Sequence, residues 1–130
     1  MPLVRFDVIK NSYNEEEIKQ ILATTQEVVI ASFHVPTRDR YQIVTQHEPY
    51  EMVIEDTGLG ILRSEKVVVV SLTSRPRTKS DIENFYTLLA TRLSEKDLVA
   101  KNDLMVNITV NSDEGWSFGY GKAQFLTGEL

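Results

Sequence analysis

Apolar and polar positions alternate between two rhythms along this chain. From Leu3 to Ile9 an apolar stretch reads as a strand, and Lys10-Asn11-Ser12-Tyr13-Asn14 breaks it. A helix is predicted next: Ile18, Ile21, Leu22, Val28 and Val29 fall on one stripe at the 3.6-residue period. Asn14 suits its N-cap, Glu17 three positions on completes a capping-box pattern, and Glu15 and Glu16 lie at the positive end of the helix dipole. Val35-Pro36 ends that helix, because a residue before proline is driven out of the helical region, and Arg40 to Gln46 returns as a strand. The pattern then repeats. Lys66 to Thr73, with four consecutive valines, is an unbroken apolar strand of the kind covered on both faces. Arg75-Pro76-Arg77 follows, Thr78 and Asp81 suggest a second capping box, and Ile82, Phe85, Tyr86, Leu89 and Leu93 make a second helical stripe. Asp103 to Val110 closes the unit as a strand.

Sliding the sequence by 64 positions superimposes the two halves without a gap. Val4 falls on Val68, Ile18 on Ile82, Val35 on Val99 and Asp39 on Asp103. Each half, 2–47 and 66–111, therefore reads as β-α-β, joined through a turn-rich segment around Gly58 and Gly60 and followed by an aromatic, glycine-rich tail over 112–130. Parallel pairing within each right-handed unit predicts an α+β fold of two layers: one mixed four-stranded sheet with both helices on one face, in a single domain over 1–130. Two helices leave the other face of the valine strand bare. Cover from further subunits is expected there, in preference to the tail folding across it.

Composition narrows the chemistry. Fourteen Lys and Arg against 19 Asp and Glu give a net charge of −5, which argues against nucleic acid or an anionic membrane as partner. There is no cysteine, so thiolate nucleophiles, thiolate metal sites and disulfides are excluded. Charges at Arg5 and Asp7 interrupt any leader-like apolar run, and no run is long enough to span a bilayer, so a cytoplasmic location is expected. His34 and His47 are isolated, with no ligand spacing to support a metal, and no zincin, phosphate-loop or nucleophile-elbow motif occurs.

Arg75-Pro76-Arg77 is the most informative triplet. Residues two apart on an extended segment project to the same side, proline stiffens the segment, and the triplet follows the strand predicted at the centre of the sheet. Two guanidiniums together suit a small carboxylate. Pro2 is a second candidate, since removal of Met1 would free a secondary amine able to act as acid, base or nucleophile. Taken alone, Asp39 reads as a turn residue paired with its neighbours, and Trp116, Phe118 and Phe125 as packing anchors of the tail.

Taken together, Met1-Pro2-Leu3, the β-α-β repeat, Asp39-Arg40-Tyr41-Gln42, Glu55-Asp56-Thr57-Gly58-Leu59-Gly60, Ser74-Arg75-Pro76-Arg77 and Trp116-Ser117-Phe118-Gly119 resemble the tautomerase superfamily, and within it the malonate semialdehyde decarboxylase branch. The resemblance spans nearly the whole chain. One departure is a Lys10–Asn14 approach to the first helix that is one residue longer. The resemblance implies a homotrimer, no cofactor, and an amino-terminal proline exposed by loss of Met1. It implies catalytic roles for Pro2, Asp39, Arg75 and Arg77, with Trp116, Phe118, Phe125 and Leu130 as an apolar wall. The implied reaction is decarboxylation of a small 3-oxo acid. Hydration or keto-enol tautomerisation of small unsaturated or 2-oxo acids is the alternative, and a non-catalytic trimeric binding protein is the reading from another class.

Overall fold

A computed structural model describes residues 1–130. The sheet is built from β1 (Leu3–Ile9), β2 (Tyr41–His47), β3 (Val68–Ser74) and β4 (Leu104–Val110) in the order β2-β1-β3-β4. β1 runs parallel to β2, β3 runs parallel to β4, and the two halves meet where β1 and β3 pair antiparallel. This is the mixed sheet of two β-α-β units that the repeat predicts. β1 has its predicted limits, and the other three strands begin or end one or two residues from theirs. Asp103 lies in a 3₁₀ turn, not in β4, and Arg40 precedes β2.

The helices α1 (Glu15–Phe33) and α2 (Lys79–Glu95) share one face of the sheet. Their stripes meet Val4, Phe6 and Val8 of β1 and Val68, Val70 and Leu72 of β3, all essentially inaccessible, and Phe33 stacks on Phe85 with centroids 5.0 Å apart. Each such apolar side chain contributes roughly 1.5–3 kcal/mol by leaving water, so this layer supplies the bulk of the fold's stability. The capping box at Asn14 and Glu17 forms in both directions, at 2.8 and 3.0 Å. At Thr78 only half of the predicted box exists: the hydroxyl accepts from the Asp81 N–H at 3.1 Å, with no return bond. The Asp81 side chain, one methylene shorter than Glu, instead lies 3.9 Å from His34. α1 stops at Phe33, and His34, left-handed at φ 56°, donates its N–H to the Ile30 carbonyl.

The opposite face differs from expectation in one respect. The connection between the halves covers part of it: Met52 and the half-buried Ile54 pack on Val67 and Val69, a small second core. The Asp56 carboxylate shapes this connection by accepting N–H groups from Gly58, Gly60 and Ile61 at 2.7–3.1 Å, which holds its pKa below the usual range. Gly58 and Gly60 both have positive φ, which explains the glycines. The rest of that face, including Arg5, Tyr41, Ile43 and Met105, stays open. No helix is long and apolar enough to cross a membrane.

Candidate active site

Sheet register fixes what surrounds the amino terminus. Leu3 pairs with Tyr41 on one side and with Thr73 on the other, so Met1 and Pro2, just upstream, lie between the segment before β2 and the segment after β3. Asp39 belongs to the first segment, and Arg75 and Arg77 to the second. The ammonium of Met1 pairs with the Asp39 carboxylate at 2.6 Å, and both side chains are largely enclosed. Burial pushes the pKa of this amine down, Asp39 pulls it back up, and the positive fields of Arg77 and Arg75 lower it again. Pro2 is buried beside it.

The two arginines are held by different neighbours. Arg77 donates from Nε to the Ser74 hydroxyl and from Nη1 to the Phe33 carbonyl, each at 3.1 Å, with its guanidinium 5.1 Å from the Phe33 ring centre. That carbonyl is one of the groups α1 leaves unsatisfied where it ends, at the negative end of its dipole. Ser74 is fully buried, and its hydroxyl also donates to the Arg75 carbonyl at 2.8 Å, so it braces the turn. Burial, and then repulsion from Arg75, lower the Arg77 pKa. Arg75 instead lies 4.3 Å from the Phe125 ring centre and forms an ion pair, Nε to Oδ1 of Asp113, at 2.6 Å.

A cavity of about 460 Å³ opens beside the terminus, walled by Met1, Asp39, Tyr41, Phe118, Phe125 and Leu130 among others. Trp116 stands behind this wall, stacked on Phe118 at 5.5 Å, while Phe118 stacks on Tyr41 at 5.6 Å and meets the edge of Phe125 at 5.5 Å. The tail therefore packs as predicted anchors do and also closes the cavity. Neither arginine is part of the cavity wall.

Several contributors escape reading from sequence. Tyr41 follows from the period-2 alternation of β2, since it shares the open face with Ile43. Gln124 bridges the tail by accepting from the Phe118 N–H at 2.9 Å and donating to the Gly119 carbonyl at 3.0 Å. Asn111 donates its N–H to the Ser74 carbonyl at 2.8 Å and accepts from the Trp116 indole at 2.7 Å, linking the arginine turn to the aromatic stack. No local pattern announces Gln124, Asn111 or Asp113. The repeat mate of Asp39, in contrast, serves a structural purpose. Asp103 is buried and accepts from both the N–H and the hydroxyl of Ser64, at 2.7 and 2.6 Å. With Tyr13 donating to the Lys66 carbonyl at 2.6 Å, it clamps the entry to β3 where Asp39 meets a free amine.

A fold of paired β-α-β units with a buried terminal amine, a carboxylate and two arginines defines a narrow class of protein. A family model described as tautomerase enzyme matches residues 39–119, more than half of the chain, and the chain belongs to this family of enzymes. It is 47% identical over 130 residues to the probable tautomerase YrdN of Bacillus subtilis (strain 168), with the whole of both chains covered. It is 27% identical to the probable tautomerase YusQ of the same organism, over 97% of this chain and 99% of that one. Among solved structures it is similar to a malonate semialdehyde decarboxylase, with a TM-score of 0.94, 43% identity and 98% of each chain covered. It is also similar to FG41 malonate semialdehyde decarboxylase inhibited by 3-bromopropiolate, with a TM-score of 0.93, 33% identity, and 98% and 97% of the two chains covered. A fused 4-OT symmetric trimer, at 14% identity and a TM-score of 0.77 over 97% and 98% of the two chains, shares the fold.

Gly115 tests the link between turn and stack. A Cβ there would stand 2.8 Å from the Asn111 side-chain nitrogen, and moving that amide breaks its bond to Trp116. Trp116 is the sole tryptophan, so its emission reports the change directly. Gly115→Ala is expected to red-shift that emission and leave the far-ultraviolet circular dichroism unchanged; an unshifted spectrum contradicts the role given to Asn111.

Proposed function

We propose that the protein is a cytoplasmic, cofactor-independent enzyme that decarboxylates a small 3-oxo acid such as malonate semialdehyde, using the amine of Pro2 once Met1 is removed. The observation that carries this reading is the terminal amine, buried against Asp39 within the fields of two arginines. While Met1 is present, the Pro2 nitrogen is an amide and carries neither proton nor charge. Loss of Met1, which lines the cavity, vacates a methionine's volume between Asp39 and the arginine turn. The similarity to two malonate semialdehyde decarboxylases supports the choice of substrate.

In the proposed reaction, Arg75 and Arg77 hold the substrate carboxylate and turn its C–C bond out of the plane of the carbonyl. As that bond breaks, its electron pair enters the carbonyl π system and CO₂ departs. Charge grows on the carbonyl oxygen, where the protonated Pro2 amine stabilises it by hydrogen bonding and proximity. The enolate carbon then takes a proton from water, giving acetaldehyde. Asp39 favours the protonated amine and orients it. A Schiff base at Pro2 is a second electron sink for the same bond cleavage. The aromatic wall favours conversion of a carboxylate into neutral CO₂, because a charged group gains more from water than an uncharged one.

Hydration or tautomerisation of small unsaturated or 2-oxo acids is the second reading. It is favoured by the probable-tautomerase names of the relatives and by the hydratase activity named beside decarboxylation for the 43% identical structure. We also propose a homotrimer, in which neighbouring subunits cover Tyr41, Ile43 and Met105 on the open sheet face.

The test begins with intact mass, to establish that Met1 is absent. Processed wild type is expected to release CO₂ from malonate semialdehyde, with kcat/KM falling at least about 10²-fold in Arg75→Ala and in Pro2→Ala. No release above background by wild type overturns the decarboxylase reading. Ketonisation of 2-oxo acid enols by that sample would favour the tautomerase reading, and binding of small carboxylates without turnover the binding protein. Sedimentation equilibrium is expected to return three times the 14.8 kDa chain mass, and a monomer would contradict the trimer.

A further inference from the structure

The two arginines differ in how much charge they have left for a ligand. Arg77 spends Nε and Nη1 on uncharged oxygens, the Ser74 hydroxyl and the Phe33 carbonyl, and the carboxylates of Asp39 and Asp81 act on it without forming an ion pair. Arg75 has a carboxylate against it, since Asp113 touches Nε at 2.6 Å. No hydrogen bond to a backbone or side-chain acceptor occupies its remaining donors, and Phe125 covers one face of the guanidinium.

Asp113 has no evident role in stability. Its side chain is 47% exposed and that of Arg75 37%, and ion pairs of such exposure contribute little to folding. A carboxylate beside an arginine meant for an anion also opposes that anion. Its placement therefore calls for an account in terms of what the site admits.

The charges at this end of the sheet supply one. The terminal amine, Arg75 and Arg77 are countered at this end of the sheet by Asp39, by Asp113 and, acting on Arg77, by Asp81, so no large positive excess is left. Arg38 and Glu129 at the cavity wall carry opposite signs. Such a balance suits one carboxylate better than two.

We propose that Asp113 is a specificity-determining residue that restricts the site to monoanionic acids. By sitting on the Nε side of Arg75 it leaves donors for a single carboxylate and repels a second negative charge. A dicarboxylate or a phosphate ester is thereby rejected where a 3-oxo or 2-oxo monocarboxylate is accepted. This inference rests on the reading of Arg75 as the partner of the substrate carboxylate.

Malonate and malonamate test it, because they share one heavy-atom skeleton and differ by one charge near neutral pH. Calorimetric titration of each into the processed wild-type protein is expected to show malonamate bound at least as tightly as malonate. In Asp113→Asn the ratio of the malonate Kd to the malonamate Kd is expected to fall by about 5-fold, the effect of removing one unit charge roughly 6 Å away in a half-exposed site. Asp113→Glu, which keeps the charge, is expected to retain the wild-type ratio, whereas a residue that merely held the tail in place would shift both ligands equally. Asp113→Ser is read in the same way should the Asn variant not fold. A ratio in Asp113→Asn within twofold of wild type overturns the proposal, provided that Arg75→Ala weakens both ligands. If Arg75→Ala leaves both affinities unchanged, or wild type binds neither ligand, the carboxylate-binding role of Arg75 fails, and the proposal fails with it.

Discussion

An ammonium group taken out of water demands a partner, and at the head of this sheet the partner is Asp39. Burial alone disfavours the charged amine, and two nearby guanidiniums disfavour it further. Only the carboxylate at 2.6 Å works in the other direction. The surrounding structure keeps these four groups together. Parallel pairing with β2 brings Asp39 to one side of the terminus, and antiparallel pairing with β3 brings Arg75 and Arg77 to the other. The end of α1 supplies the carbonyl that anchors Arg77, and the tail supplies the carboxylate that meets Arg75. Each of these supports is a feature of the fold, so the chemistry of the site is inseparable from the strand order β2-β1-β3-β4.

The internal repeat explains both what the two halves share and where they diverge. Equivalent acidic residues stand before β2 and before β4, yet their surroundings give them different work. Asp103 receives two donors from Ser64 and ties the connection between the halves to its end of the sheet. Asp39 receives the terminal amine, a group that only the first half possesses. One end of the sheet is thus a structural clamp, and the other opens to a cavity lined by aromatic side chains from the tail.

Much of this was readable in the sequence because it depends on local patterns. Helical stripes, the N-caps at Asn14 and Thr78, the unbroken valine strand and the 64-residue offset each reflect a short-range rule, and the β-α-β layout follows from them. What escaped depends on contacts between distant segments. The connection around Met52 and Ile54 looks like irregular chain in sequence, yet it covers Val67 and Val69 from a direction that no periodicity encodes. The second capping box failed in half because an aspartate is too short to return the bond while His34 lies near. Candidate site residues were legible to the extent that unusual residue types mark them, as with Arg75-Pro76-Arg77 and Pro2. The residues that brace them, Ser74, Asn111, Asp113 and Gln124, are ordinary polar side chains whose significance appears only when the tail is folded back onto the turn after β3.

The balance of fields at the amino terminus is directly measurable. In the chain with Met1 removed and Pro2 labelled with ¹⁵N, an NMR titration gives the pKa of the amine. The burial and arginine fields that lower the Met1 amine are expected to act on the freed Pro2 amine as well, giving a value below that of a short peptide with the same first residues, and loss of the opposing carboxylate in Asp39→Asn predicts a further decrease. A wild-type amine that titrates like the peptide, or one whose pKa stays the same or rises in Asp39→Asn, would contradict the account.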